Sequence, residues 1–254
     1  MFSLPKPKYE VIAKTYRNSH IYCVDAERLP SVTKILGIIG GAKMQALMIW
    51  ARREALKLAE NELFAAIEQE QPLTYDRVAE ILKAADRQPD KVKDESADIG
   101  TRVHNAIDAY ILGKEPVLDE ESTIGFTNFL NWLSSAGLQL VCGDIPVASR
   151  SLGYGGRLDA LGVDNDGKLY VLDWKTSNSL RDEYPLQVAA YAKALKEQYG
   201  LDVSGAYVVR FDKTDPNVFE TKQVDMTHAL GAWLSAYALW RNMNTTLWKE
   251  QEQK

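Results

Sequence analysis

Asp159, Asp173 and Lys175 are the residues whose types and spacing could do chemistry. Side chains alternate along a strand, so Leu169, Val171, Asp173 and Lys175 would share one face. Apolar residues support that face, and it ends in a carboxylate and an amine. The tripeptide Asn165-Asp166-Gly167 suits a three-residue hairpin loop with glycine in the left-handed region. That loop pairs residues 164 and 168 and, counting back, sets Asp159 opposite Asp173. Directly opposed residues point to one side, about 5 Å apart. Two bare carboxylates at that distance repel, and a divalent cation would resolve the conflict. With no thiolate in the set, Mg²⁺ or Mn²⁺ is the expected ion. His104 could add a nitrogen ligand, which would tilt the preference toward Mn²⁺. Lys175 would orient or help deprotonate a bound water, or neutralise phosphate charge: the machinery of in-line phosphodiester hydrolysis. The plainer alternative is a solvated strand end, and a one-residue slip in register would turn Asp159 to the opposite face.

The elements that must position these residues can be read from pattern. Residues 138–148, 153–164, 167–175 and 204–212 read as strands, with a further one over 218–224. A helix over 183–199 crosses between the third and fourth, and another over 226–240 closes the chain. Before them the pattern is helical: 43–68, 76–85, 97–112 and 121–136, with a charged loop at 86–95. Ser31 caps a short helix through Leu36, and residues 8–27 look extended. The expected fold class is α/β: a mixed central sheet flanked by helices behind an N-terminal helical region. A single domain over 1–254 is expected, with a mainly helical region at 42–136 and a core at 137–225. The polar tail 249–254 has nothing to bury and is expected to be disordered.

Bulk properties exclude several classes. The 254 residues are 46% hydrophobic and 26% charged, with a net charge of −5. A globally basic nucleic-acid coat is excluded, although a local basic stripe is not. Two cysteines, Cys23 and Cys142, cannot build a four-cysteine zinc or iron–sulfur site, so no iron–sulfur cluster is expected. The same two cysteines fit a reducing, cytoplasmic setting. The start shows no apolar run of signal-peptide length. The apolar stretch from Val32 to Trp50 is broken by Lys34, Gly40, Gly41 and Lys43, so no membrane partner is expected.

Four segments in order, Gly100 to His104, Gly156 to Asp159, Asp173 to Ser177 and Gln187 to Tyr191, resemble the RecB-type branch of the PD-(D/E)XK nuclease superfamily. With Pro30 to Leu36, the layout is similar to mitochondrial genome maintenance exonucleases and phage exonucleases. The resemblance implies a restriction-endonuclease-like core and a metal-dependent DNA nuclease, an exonuclease on DNA ends or single strands more than an endonuclease. It implies that His104, Asp159, Asp173 and the backbone carbonyl of Trp174 bind the metal and that Lys175 is catalytic. Gln187 and Tyr191, four apart on one helix face, would orient the site or contact DNA. The chain departs from the pattern in carrying Leu158 where proline is common. Where relatives often place a glutamate before the Gly-Gly turn, the nearest acid is Asp144, held as a candidate for a second metal or a structural role.

Each candidate has a structural alternative. His104 could be a buried, hydrogen-bonded histidine, and Tyr191 could simply pack on the sheet. Gln187 interrupts an apolar run and needs a partner, either in the site or on the backbone. Lys43, Arg52, Arg53 and Lys57, continued by Arg77, Lys83, Arg87, Lys91 and Lys93, could guide a strand or form a solvated face. Arg102, Tyr154 and Trp174 are expected near the site, where they could hold phosphates or stack bases. Two other readings remain: a binding module that lost its chemistry, and an unrelated α/β protein with surface acids.

Overall fold

The computed structural model describes residues 3–16 and 19–245; the polar tail 249–254 lies outside them. Contacts divide the chain into two compact units, Met1–Ile39 with Arg102–Lys254, and Gly40–Thr101.

The larger unit is built on a five-stranded mixed sheet. Its strands are β4 (Leu138–Ser149), β5 (Tyr154–Asp164), β6 (Leu169–Lys175), β7 (Gly205–Phe211) and β8 (Phe219–Gln223), in that spatial order. Only β6 and β7 run parallel, because α5 (Glu183–Tyr199) carries the chain back between them. Helices flank both faces. On one, Leu161 and Val171 of the sheet pack with Val188 and Leu195 of α5. The same core takes in Trp233 of α6 (Met226–Met243) and Ile35 of α1 (Val32–Leu36). On the other, Trp174 and Phe211 pack with Phe129 and Trp132 of α4 (Glu120–Ala136). Val103 and Ile107, near the end of α3 (Tyr75–Ile111), complete that second core.

Local rules explain the borders. Asp119 accepts from the Ser122 N–H at 2.8 Å while Ser122 Oγ accepts from the Asp119 N–H at 2.9 Å, a reciprocal cap at the start of α4. Ser31 Oγ accepts from the Lys34 N–H at 3.1 Å and starts α1. The extended segment 8–27 resolves into a three-stranded antiparallel sheet, β1 (Ile12–Tyr16), β2 (Ser19–Val24) and β3 (Glu27–Leu29). It is tied to β5 by a bridge between Ser31 and Gly155 and by the Gly155 N–H donating to Pro30 O at 2.9 Å.

One expectation is overturned. No charged loop spans 86–95; α3 runs unbroken from Tyr75 to Ile111 with Pro89 inside it. Proline deletes one helical hydrogen bond and crowds the preceding turn. The residues around it are mostly good helix formers, and Lys91 faces Glu95 at the favourable i,i+4 spacing.

In the smaller unit, α2 (Gly41–Glu68) and residues 75–101 of α3 bury Ala66, Ile81 and Ala85, and Arg77 pairs with Glu62 at 3.3 Å. Arg52, Arg53, Lys57, Lys83, Arg87, Lys91 and Lys93 are exposed, and acids such as Asp86, Asp90, Asp94 and Glu95 interleave with them. The side chain of Lys43 lies outside the described residues. Among the described residues no single helix is long and apolar enough to cross a bilayer.

Close approach explains one glycine beside the site. A Cβ on Gly156 would collide with the ring of Tyr191 on α5, which is 4% exposed and cannot retreat. Gly156→Ala is expected to lower stability by roughly 1–3 kcal/mol through overpacking. Thermal unfolding checks this: a melting temperature equal to wild type would mean that the helix and strand are not in close contact there.

Candidate active site

The β5–β6 hairpin has the register expected from its turn. Asp164 and Lys168 close the loop, with the Asp164 N–H donating to Lys168 O at 3.0 Å, and the ladder runs through Val163 with Leu169 to Ala160 with Leu172. The same count sets Asp159 opposite Asp173. There the backbone rungs stop, and the Asp159 carboxylate accepts from the Trp174 N–H at 2.7 Å. Within one residue of a strand, N–H and C=O point to the same side. The Trp174 carbonyl is therefore turned toward the edge that Asp159 occupies.

Two basic side chains flank the acids. His104 Nδ1, from α3, lies 3.6 Å from Asp159 Oδ1. Lys175 Nζ lies 2.5 Å from Asp173 Oδ2, and the ammonium also sits 4.7 Å from the centre of the Tyr184 ring on α5. Asp173 is 1% exposed, and apart from the Lys175 ammonium neither of its oxygens has a hydrogen-bond partner among the described residues. Burial is the main force on it and lifts its carboxyl above the usual range, opposed by Lys175 and aided by Asp159. Burial also pushes Asp159 upward, but His104, Lys175 and the Trp174 N–H outweigh it and hold Asp159 low. Burial would lower both bases; Asp159 keeps the His104 imidazole above its ordinary value, and Asp173 and Asp159 do the same for Lys175. The two acids thus differ in proton affinity because one has several donors and the other only an amine.

Gln187 finds its partner inside the site. Its Nε2 donates to Tyr191 Oη at 2.8 Å, and burial together with the charge of Asp173 raises the Tyr191 phenol well above its normal range. The structure therefore gathers His104, Asp159, Asp173, Lys175, Gln187 and Tyr191 in one place.

Other candidates fall elsewhere. The Trp174 side chain is 1% exposed and packs edge-on against Trp132 and Phe129, with ring centres 5.1 and 5.8 Å away, so it cannot stack a base. Tyr154 is fully buried against Trp233 and donates to Ala190 O at 2.9 Å; it too has no face for a ligand. Both lie within strands whose neighbouring layers cover them. Arg102 is held by Asp119 and Glu121 at the start of α4. Asp144 lies at the margin of the site, close enough to act on Asp108, and is clasped there by Arg157 Nη1 at 2.6 and 2.7 Å.

Two neighbours were missed from sequence. Asp108 lies one turn beyond His104 on α3, a spacing that could have found it. Burial, then Asp144 and Asp159, raise its carboxyl to about 6. A folded value above the unfolded one means that the folded state holds the proton more tightly. This contribution is full below about pH 4 and is lost as pH rises through about 6. Asp108→Asn should therefore flatten that part of the stability–pH curve, a difference of about 1 kcal/mol between pH 4 and 7 after allowing for its solvent contact. Urea denaturation of both proteins across that range checks it; parallel curves would contradict it. The other neighbour, Tyr184, has no local sequence signal, because it meets Lys175 only through the crossover.

Two carboxylates with an imidazole nearby form a hard to borderline donor set that suits Mg²⁺ or Mn²⁺. The buried carboxylate of Asp173, with no partner but the Lys175 ammonium, is the observation that fits a cation best. The side chains as they stand form no ready cage: among the described residues no group of three or more His, Cys, Asp or Glu is arranged to hold a metal ion.

Residues 138–249 match the family model of the PD-(D/E)XK nuclease superfamily. The PD-(D/E)XK match runs from β4 through α6, covering somewhat under half of the chain. It includes Asp159, Asp173, Lys175, Gln187 and Tyr191 and leaves out His104 and the Gly40–Thr101 unit. The five-stranded mixed sheet with helices on both faces is consistent with the restriction-endonuclease-like fold of that superfamily. A solved structure titled "Crystal structure of SSO0001" is 16% identical over 57% of this chain and 74% of its own, with a TM-score of 0.27; nothing is argued from it. No curated protein matches the chain.

Proposed function

We propose that this protein is a divalent-metal-dependent deoxyribonuclease of the RecB-type branch, acting as an exonuclease on DNA ends or single strands. One observation carries the reading: within the segment that matches the nuclease superfamily, Asp159 and Asp173 meet across one hairpin with the Lys175 ammonium against them. Asp159, Asp173, His104 and the Trp174 carbonyl would hold Mg²⁺ or Mn²⁺. Such an ion supplies Lewis-acid activation of the attacking water and neutralises charge on the phosphate.

The chain's own residues do the rest. Lys175 is held by Asp173 and the face of Tyr184, where its ammonium can donate to a phosphate oxygen or orient the nucleophile. Tyr191 stays protonated, so its hydroxyl remains a donor or acceptor beside Asp173, aimed by Gln187. The aromatic packing behind Trp174 fixes the strand that carries Asp173 and Lys175. We assign the 42–136 and 137–225 segments to one nuclease domain and place the protein in the cytoplasm, in keeping with its free cysteines.

The test uses end-labelled linear single- and double-stranded DNA beside a closed single-stranded circle, with Mg²⁺ or Mn²⁺ and with chelator. Stepwise loss of nucleotides from linear DNA, abolished by chelator, with the circle intact is the expected result. Rapid cutting of the circle would replace the exonuclease by an endonuclease. DNA binding without turnover would replace both by an inactive binding module.

A further inference from the structure

A polar cleft of about 770 Å³ opens where β2, β3, α1 and α6 meet. Its walls include His20, Arg28, Lys34 and Trp240, with the hydroxyls of Ser31 and Thr33 between them, and among the described residues no aspartate or glutamate lines it. Arg28 and Lys34 are exposed and make no ion pair among the described residues. Other exposed cations, such as Arg52, Arg53, Lys83 and Arg87, also make none, but they stand among interleaved acids rather than together in a recess. Arg77, Arg150, Arg157 and Arg210 are each held by a carboxylate, and the net charge is −5. A recess that concentrates cations without their counter-ions is built for an anion from outside.

Its place in the fold indicates which anion. Ser31 in the cleft wall bridges to Gly155, at the start of the strand that carries Asp159. Asp159 lies four residue steps along the strand from Gly155, about 13 Å. At the rise of a B-form strand, that is roughly four nucleotides. A chain bound at the acids could therefore lay its phosphates against Arg28 and Lys34, with Trp240 as an aromatic wall for a base.

We propose that this cleft is a second contact for single-stranded DNA, one that grips the sugar–phosphate backbone a few nucleotides from the site of hydrolysis. The assignment rests on the nuclease reading for its choice of ligand, but its test does not depend on turnover.

The affinity of a labelled 20-nucleotide single strand is measured by fluorescence anisotropy, in chelator, over a range of salt. The double variant Arg28→Ala/Lys34→Ala is compared with wild type and with Lys168→Ala/Lys196→Ala. The second pair removes the same charge from exposed lysines already paired with Asp166 and Asp202. The cleft variant should bind about tenfold more weakly near 0.1 M salt, with the slope of log affinity against log salt shallower by about 1.4, the loss of two phosphate contacts. The control should stay close to wild type. Equal affinity and slope for the two double variants, or no binding by wild type, would overturn the proposal. Loss of affinity in the cleft variant without any metal-dependent cleavage by wild type would keep the cleft and remove the nuclease.

Discussion

Asp173→Asn and Lys175→Ala are each expected to lower metal-dependent DNA hydrolysis at least about a thousandfold, and the double variant to be little worse than either single one. Non-additivity is the informative part. Asp173 and Lys175 touch at 2.5 Å, and both act on the Asp159 side of the site. Removing the carboxylate would take away a proposed metal donor and free the ammonium from its anchor. Removing the ammonium leaves a buried carboxylate without its partner and the phosphate without a counter-charge. Either loss dismantles the same unit, so the penalties overlap. Single-turnover rates on a labelled oligonucleotide, with saturating Mg²⁺ or Mn²⁺, measure this. Additive penalties would mean that the two residues act separately.

Lys175→Met should destabilise the metal-free protein by about 2–4 kcal/mol, and divalent ion should restore more stability to the variant than it adds to wild type. The first half follows from burial. Asp173 is 1% exposed, and the Lys175 ammonium is its one close donor and counter-charge among the described residues. Breaking a buried pair from one side leaves an uncompensated charge, and part of the cost is relieved as Asp173 takes up a proton. The second half follows from mass action. An ion that binds only the folded state stabilises by about 2.7 kcal/mol at a hundred times its dissociation constant. In the variant an ion held by Asp173 would also supply the missing counter-charge. Thermal unfolding with and without Mn²⁺ checks both halves. A variant as stable as wild type without metal would show that the ammonium does not support the acid in the folded state.

The hairpin was the most legible part of the chain. Asn165-Asp166-Gly167 forces a loop of fixed length, and fixed length forces the register that sets Asp159 against Asp173. The span 183–199 expected for α5 matches the helix, and its C-terminal border has a local cause: Gly200 takes the left-handed conformation that ends it. Long-range packing was not legible. Nothing local to Tyr184 says that its ring will lie under Lys175, since the contact forms only after α5 crosses the sheet. Tyr154 and Trp174 looked like ligand-facing aromatics because a strand pattern shows alternation but not which layer covers each face. Pro89 suggested a break, yet the flanking helix formers carry α3 through it. His104 could be placed on its helix from spacing, but its 3.6 Å approach to Asp159 depends on how the end of α3 lies against β5.

The central claim is that Asp159 and Asp173 together grip one divalent ion. Isothermal titration of Mn²⁺ into wild type, Asp159→Asn and Asp173→Asn, repeated in two buffers of different ionisation heat, tests it most directly. One ion should bind wild type with release of protons, because His104 and Asp173 both hold protons more tightly than usual without metal. Each variant should lose most of that affinity. Equal binding by all three proteins, or none by wild type, would contradict the account.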